Sequence, residues 1–457
     1  MSFKMLLIGL SLLGLMTGSL TVASEAANFD LPSATFRQYG CDEQCEQVFN
    51  LAEKQDRQLF SSDFDYEFYA IAPDFTSSHP GDLLKFELIN PSDLNITSGV
   101  TVYRLQYTSR ALNGTFVPAT GFIGLPDTFS RADNKHPVIA FAHGTSGVFR
   151  GCPPSTTPTL ADYSSWSLLV KSGYAVVAPD YAGLGNDYIE HQYLSFPAHA
   201  NDLYYGMVAA RQALPHAFTD EWMSVGHSQG GGASWKLSES PLHHRGAAGT
   251  YLGSVAIAPA TKIYDMAVAT MDILFQRPDY ASYDIIYELA WLPIALKRVF
   301  PRASVSFVAE ELRERISLAT EAQSCMSGIL SLPHGLKPKE LITDPAWVKH
   351  NRFLRRWQDW VAPANGARAA GPLMIIQGLN DTAVLPEITT DSYDDTCRHG
   401  NEAHIRLYEG AGHIDVFHAS APEWLEFLSN QFAQKKGNFH GACSSATRDA
   451  VTDQEND

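Results

Sequence analysis

Positive charge is scarce in this chain. Its 457 residues carry 33 Lys and Arg against 50 Asp and Glu, a formal charge of -17. Nucleic acids and anionic bilayers bind basic surfaces, so neither is expected as a partner. Cysteines at zinc-site or C-x-x-C spacing are missing, so no metal is expected. A G-x-G-x-x-G frame is missing too. The glycine-rich stretch Pro179-Asp180-Tyr181-Ala182-Gly183-Leu184-Gly185 lacks it, and no cofactor is expected. Tyr181, Gly183 and Leu184 are read instead as shaping a substrate cleft. Internal repeats are not visible. Hydrophobic residues at 45% and charged residues at 18% exclude a largely disordered chain.

Long apolar runs are confined to the N-terminus. Lys4, the apolar stretch from Met5 to Met16 and a Thr21-x-Ala23 site read as a secretory signal over residues 1–23. The apolar run is short for a membrane span. The expectation is a soluble exported protein, extracellular or periplasmic. Export permits disulfides among Cys41, Cys45, Cys152, Cys325, Cys397 and Cys443. Spacing alone leaves their pairing open, although Cys41 and Cys45 are close enough to pair locally. Asn95-Ile-Thr97 and Asn113-Gly-Thr115 are glycosylation sequons, of consequence only in a eukaryotic host.

A single core stops growing at roughly 250–300 residues, so the chain needs two domains or one large insertion. Residues 36–60 carry a mixed helical pattern. Residues 83–89, 100–108 and 117–124 read as antiparallel lead-in strands. From Val138 the pattern changes to short continuous apolar runs at 138–142, 174–178, 223–225, 254–258, 373–376 and 404–408. Helical patterns at 160–172 and 197–214 separate the earlier ones. Such alternation predicts an α/β fold, a mostly parallel sheet covered by helices on both faces. Helical patterns at 263–275, 282–299 and 305–331 fill the gap before residue 373. Residues 24–99 are therefore read as an N-terminal extension and 100–260 with 351–434 as the core. Residues 261–350 are a helical cap inserted in it, and 435–457 a polar tail.

The strongest chemical signal is Gly226-His227-Ser228-Gln229-Gly230, directly after an apolar run and before a small-residue helix. The G-x-S-x-G pattern there describes a strand-to-helix turn that pushes a serine hydroxyl above the sheet. A serine needs a base, and in this architecture acid and then base follow it in sequence. Asp381, on the loop after 373–376, is the acid candidate. Asp391, Asp394 and Asp395 read as solvated charge. His413, in Glu409-Gly410-Ala411-Gly412-His413, is the base candidate. His404 and His418 are its alternatives, one beginning a strand and the other inside a helix. Oxyanion donors are expected at the Gln229 N–H and at Thr145, in His143-Gly144-Thr145-Ser146-Gly147. His143 itself reads as structural, and His243-His244 as no metal site.

Together the His143-to-Gly147 loop with Cys152-Pro-Pro-Ser155, the Gly173-to-Gly185 stretch, Gly226-to-Gly230, Gln377-Gly-x-x-Asp381 and Gly412-His413 resemble the secretory lipase family of the Candida lipase A type. That family lies within the α/β-hydrolase superfamily. The resemblance spans about 140–415. It implies Ser228, Asp381 and His413 as a triad beneath a helical cap. It also implies disulfides Cys152–Cys325 and Cys397–Cys443, leaving Cys41–Cys45. The expected function is hydrolysis of carboxylic esters, acylglycerol-like ones among them, by a lipase or esterase without a cofactor. The apolar cap is where transient contact with a lipid interface would be made. A serine peptidase of this fold is the alternative, with Asp272, Asp279, Asp284 or Glu288 recognising a terminal amine. A non-catalytic binding protein on the same fold is the reading from another class.

Overall fold

The computed structural model describes residues 25–60, 64–129, 131–433 and 442–450. The signal expected over 1–23 and most of the expected tail lie outside these residues. Ten strands form one sheet. They are β1 (Leu83–Leu88), β2 (Val100–Arg110), β3 (Phe116–Pro126), β4 (His136–Ala142), β5 (Ala175–Pro179), β6 (Phe218–His227), β7 (Thr250–Ile257), β8 (Leu373–Gly378), β9 (Ala403–Glu409) and β10 (Cys443–Asp449). Their order is β1-β2-β3-β5-β4-β6-β7-β8-β9-β10. The first three pair antiparallel, and β3 pairs antiparallel with β5. From β5 to β10 every pairing is parallel.

Apolar runs form the parallel strands because both faces are covered. In β4, Val138, Ala140 and Ala142 pack toward the helix Phe196–Ala213. Ile139 and Phe141 pack on the other side with Trp166, Phe417 and Trp424. Between β7 and β8 the chain leaves the sheet and builds the helical insertion, whose Ile273, Leu289, Trp291, Leu296 and Trp357 join the first of these cores.

Several boundaries differ from expectation. The helix expected at 160–172 begins only at Trp166, since Leu160, Ala161 and Ser164 take positive φ. The 305–331 pattern is two helices, Glu310–Ala322 and Met326–Ser331, separated where Cys325 is extended. The helix Arg352–Val361, expected in the core, packs on Ile263–Gln276 in the insertion, where Gln358 accepts from Tyr264 N and donates to Asp265. The N-terminal extension contributes β1 to the sheet, and the polar tail contributes β10. That last strand is Cys-Ser-Ser-Ala-Thr-Arg-Asp, a sheet edge with no apolar period.

All six cysteines are paired, as Cys41–Cys45, Cys152–Cys325 and Cys397–Cys443. The second spans 173 residues and fastens the insertion to the loop after β4. Next to it, Met326 N donates to Ser146 O and Gly147 bridges Cys325. Arg298, on the insertion helix Trp291–Val299, donates to Val148 O at 2.8 Å and His191 O at 3.0 Å. The extension holds the same region from below, where Asp56 accepts from Ser327 N and Gly328 N at the start of Met326–Ser331. Closing so long a loop constrains the unfolded chain. Replacing both Cys152 and Cys325 by Ala is expected to lower stability by about 2–5 kcal/mol, read from the midpoint of urea unfolding. An unchanged midpoint would show that this link does not hold the insertion.

Candidate active site

β6 runs straight into the helix Gln229–Ser238, and Ser228 is the turn between them. Its backbone has φ 58° and ψ -121°, a conformation that side chains rarely adopt. Its neighbours pack too closely for any Cβ. One at Gly226 would sit 2.0 Å from Gly230 O, and one at Gly230 only 1.9 Å from Ala142 O. The strained residue is held by Ser228 N donating to Ile257 O at 2.9 Å and Ala260 N donating to Ser228 O at 3.0 Å. Gln229 is the first residue of the helix, so its N–H has no carbonyl four residues back.

Asp381 and His413 stand on the loops after β8 and β9. His413 Nδ1 and Asp381 Oδ2 are 2.7 Å apart. The same Oδ2 accepts from Gln377 Nε2 at 3.1 Å, while Oδ1 accepts from Ala383 N and Val384 N at 2.9 and 2.8 Å. The carboxylate is thereby fixed by four donors, with His413 among them. Burial pulls the His413 pKa down. The charge and hydrogen bond of Asp381, helped by Glu288 and Asp284, outweigh burial and raise it above its ordinary value.

His227 ties the loop of His413 to the segment carrying Tyr163. Its Nε2 lies 2.9 Å from the His413 carbonyl and its Nδ1 2.7 Å from the Tyr163 hydroxyl. The carbonyl can only accept, so Nε2 carries the proton and Nδ1 accepts from tyrosine. Burial holds this imidazole neutral, with its pKa down at about 3. Ser228 Oγ makes no hydrogen bond to His413 here. Such contacts are often long without substrate and tighten when it binds.

The oxyanion candidates Thr145 and Gln229 flank this turn. Thr145 Oγ1 is 2.9 Å from the Tyr193 hydroxyl, and a Cβ on neighbouring Gly144 would lie 3.7 Å from Ser228 Cβ. The Gln229 amide donates to His199 Nε2 at 3.1 Å and His191 Nε2 at 3.3 Å. Both rings are buried, and burial depresses their pKa, to about 3 for His191. His191 Nδ1 donates to Ala182 O.

A narrow cavity with about 660 Å³ of empty space, mouth included, adjoins Ser228 and Gln229. Tyr193, Ala383 and Val384 line it from the core, and Met266, Ile285, Glu288, Leu289, Trp291 and Trp357 from the insertion. The insertion is docked beside Asp381, where Ile285 N donates to Thr382 O and Thr382 Oγ1 to Asp284.

Tyr181, Gly183 and Leu184 do not shape this cavity. Tyr181 and Leu184 are fully buried. Tyr181 donates to His143 O and stacks on His143 and His199. A Cβ at Gly183 would meet His191 N at 2.3 Å. Their stretch packs under the site, and Tyr193 and Leu194 further on form the wall. His143 is buried between Gly144 O and Asp180 O, in keeping with a structural role. His404 is buried against Ser444 at the far edge of the sheet, and His418 lies in the helix Asp415–Ala419. Asp395 pairs with Lys262 and Arg398. Among the described residues no group of side chains could hold a metal. Gln377, His191, His199 and Tyr193 carried no spacing signal. Only Gln377, in the turn before Asp381, sat in a motif.

Residues 139–426 match the family model described as the alpha/beta hydrolase family. No curated protein matches the chain. Among solved structures, the rice cell wall degrading esterase LipA from Xanthomonas oryzae is 15% identical with a TM-score of 0.60, covering 78% of this chain and 99% of its own. Candida antarctica lipase A is 12% identical with a TM-score of 0.63, covering 84% of this chain and 89% of its own. At these identities the likeness is one of fold.

Asp381→Asn removes the charge that raises the His413 pKa and keeps the side chain's shape. His413 in that variant is expected to titrate at lower pH than in the parent, read from its imidazole NMR signals. An unmoved titration would show that Asp381 does not set its basicity.

Proposed function

The chain belongs to the alpha/beta hydrolase family, and on that premise we propose that it is a secreted serine hydrolase of carboxylic esters. One observation carries the reading. Ser228 is held in a strained strand-to-helix turn while a 2.7 Å Asp381–His413 pair stands on the next loops at the same sheet edge.

Ser228 Oγ attacks the ester carbonyl as His413 Nε2 takes its proton. Asp381 holds the Nδ1–H and stabilises the imidazolium. The Gln229 and Thr145 N–H groups receive the charge on the carbonyl oxygen. Collapse breaks the bond to the alcohol, which leaves with the proton from His413. Water then attacks the acyl-serine, His413 again takes and returns a proton, and the carboxylic acid departs.

The cavity's mainly apolar lining supports an apolar chain on the ester. Exposed Phe275 on the insertion, with Leu379 and Ile414 beside Asp381 and His413, supports transient contact with a lipid interface. Three disulfides support an oxidising compartment. The peptidase reading loses most of its carboxylates. Asp272 pairs with Lys349, Asp279 with Arg277, and Asp284 accepts from Thr382.

Ser228→Ala is expected to abolish hydrolysis of p-nitrophenyl esters, by roughly 10⁴-fold or more in kcat. Rates across acyl lengths from acetate to palmitate should favour chains longer than acetate. Equal turnover by Ser228→Ala and parent would sink the assignment. A steep preference for acetate would reject the apolar chain.

A further inference from the structure

One carboxylate in the catalytic cavity plays no part in the reaction described. Glu288 lies on the insertion turn Asp284–Ala290 and lines the cavity with Ser228 and Gln229. Among the described residues its carboxylate takes part in no hydrogen bond or ion pair. The other insertion carboxylates named above all do. Lys and Arg are missing from the cavity lining, which is otherwise apolar apart from Tyr193, Thr270, Gln229, Ser228 and the indole N–H groups of Trp291 and Trp357. Thr270 is occupied by its own helix, donating to Met266 O.

The charged neighbours of Glu288 are few. Asp284 on its own turn and Asp381 oppose its ionisation, and His413 favours it. Tyr193, whose hydroxyl meets Thr145, also lies within its field. Burial is the largest influence, pushing its pKa up to about 7, so both forms are populated near neutral pH. A carboxylate left alone among apolar side chains is unfavourable, and a cation brought beside it relieves that cost. His413 is already engaged by Asp381, so the missing cation is one the cavity itself does not hold. The chain's net charge of -17 also draws cations toward it.

Resting on the ester hydrolase reading, we propose that Glu288 is a specificity-determining residue that selects esters bearing a cationic amine on an apolar chain. The ammonium group pairs with Glu288 while the ester carbonyl lies at Ser228. Charge-assisted pairing of this kind adds selectivity that apolar contacts alone do not.

The test compares methyl 6-aminohexanoate with methyl heptanoate, its neutral isostere, and choline heptanoate with hexyl heptanoate. These pairs place a cation on the acyl and alcohol sides, and 6-aminohexyl heptanoate against heptyl heptanoate repeats the alcohol-side comparison with a primary ammonium. The parent is expected to favour the cationic member of at least one pair by roughly tenfold in kcat/KM at pH 8. In Glu288→Gln that ratio should fall toward one, and in Glu288→Asp it should be largely kept. On the parent alone, hexylammonium should inhibit roughly tenfold more strongly than hexanol, a readout independent of how the variants fold. Neutral esters cleaved as well as cationic ones, with hexylammonium no better than hexanol, would overturn the proposal while leaving the ester hydrolase intact. A Glu288→Gln variant that slows both members of a pair alike would overturn it too, since Glu288 would then act only through His413. If the parent cleaves none of these esters and Ser228→Ala matches it on p-nitrophenyl esters, the hydrolase reading itself falls.

Discussion

The site depends on one steric constraint: β6 must turn into the helix Gln229–Ser238 within a single residue. That turn puts Ser228 at φ 58°, a strain of about 1–3 kcal/mol that persists only when the surroundings impose it. Gly226, Gly230 and Ala142 approach so closely that neither glycine could carry a side chain. The same close packing lets Ile257 O and Ala260 N hold Ser228 from both sides. A relaxed turn would lose the exposed hydroxyl and displace the Gln229 N–H together.

From that turn the rest of the site follows by topology. In a parallel sheet the carboxyl ends of the strands lie along one edge. The loops after β4, β8 and β9 therefore bring Thr145, Asp381 and His413 to the edge where β6 presents Ser228. Buried neutral histidines then fix the details. His227 ties the His413 carbonyl to the turn at Ser228, and His191 and His199 hold the Gln229 side-chain amide. The insertion is anchored at Cys152–Cys325, at Arg298 and at Thr382. These anchors lie beside the loop of Thr145, the cavity wall and Asp381. The position of Glu288 in the cavity is thus set by the same contacts that position the reacting groups.

The parallel strands were legible because burial on both faces leaves a continuous apolar run, and Ser228 because its turn demands glycines at fixed offsets. Asp381 and His413 were legible from their loops after such runs. β10 was not, because an edge strand of Ser, Thr and Arg is held by backbone pairing and by Cys397–Cys443, not by apolar period. The helix expected from residue 160 was misread because Leu160 and Ala161 carry helical composition into a turn. Tyr181 and Leu184 looked like cleft residues from their place after β5. Which side of a loop faces a cavity depends on packing across the sheet, and here Tyr181 turns inward to His143 and His199. The distinction among the insertion's acidic residues was likewise invisible. Asp272 and Asp284 find partners through tertiary contacts and Asp279 through nearby Arg277, whereas the Glu288 carboxylate finds none among the described residues.

Catalysis at this site requires that the strained serine be activated by its neighbours. The direct measurement is covalent labelling by a fluorophosphonate, with the modified residue located by peptide mass spectrometry. The account predicts a stoichiometric adduct on Ser228 that His413→Ala largely abolishes. Labelling elsewhere in the chain, or an adduct on Ser228 that forms as fast without His413, would contradict it.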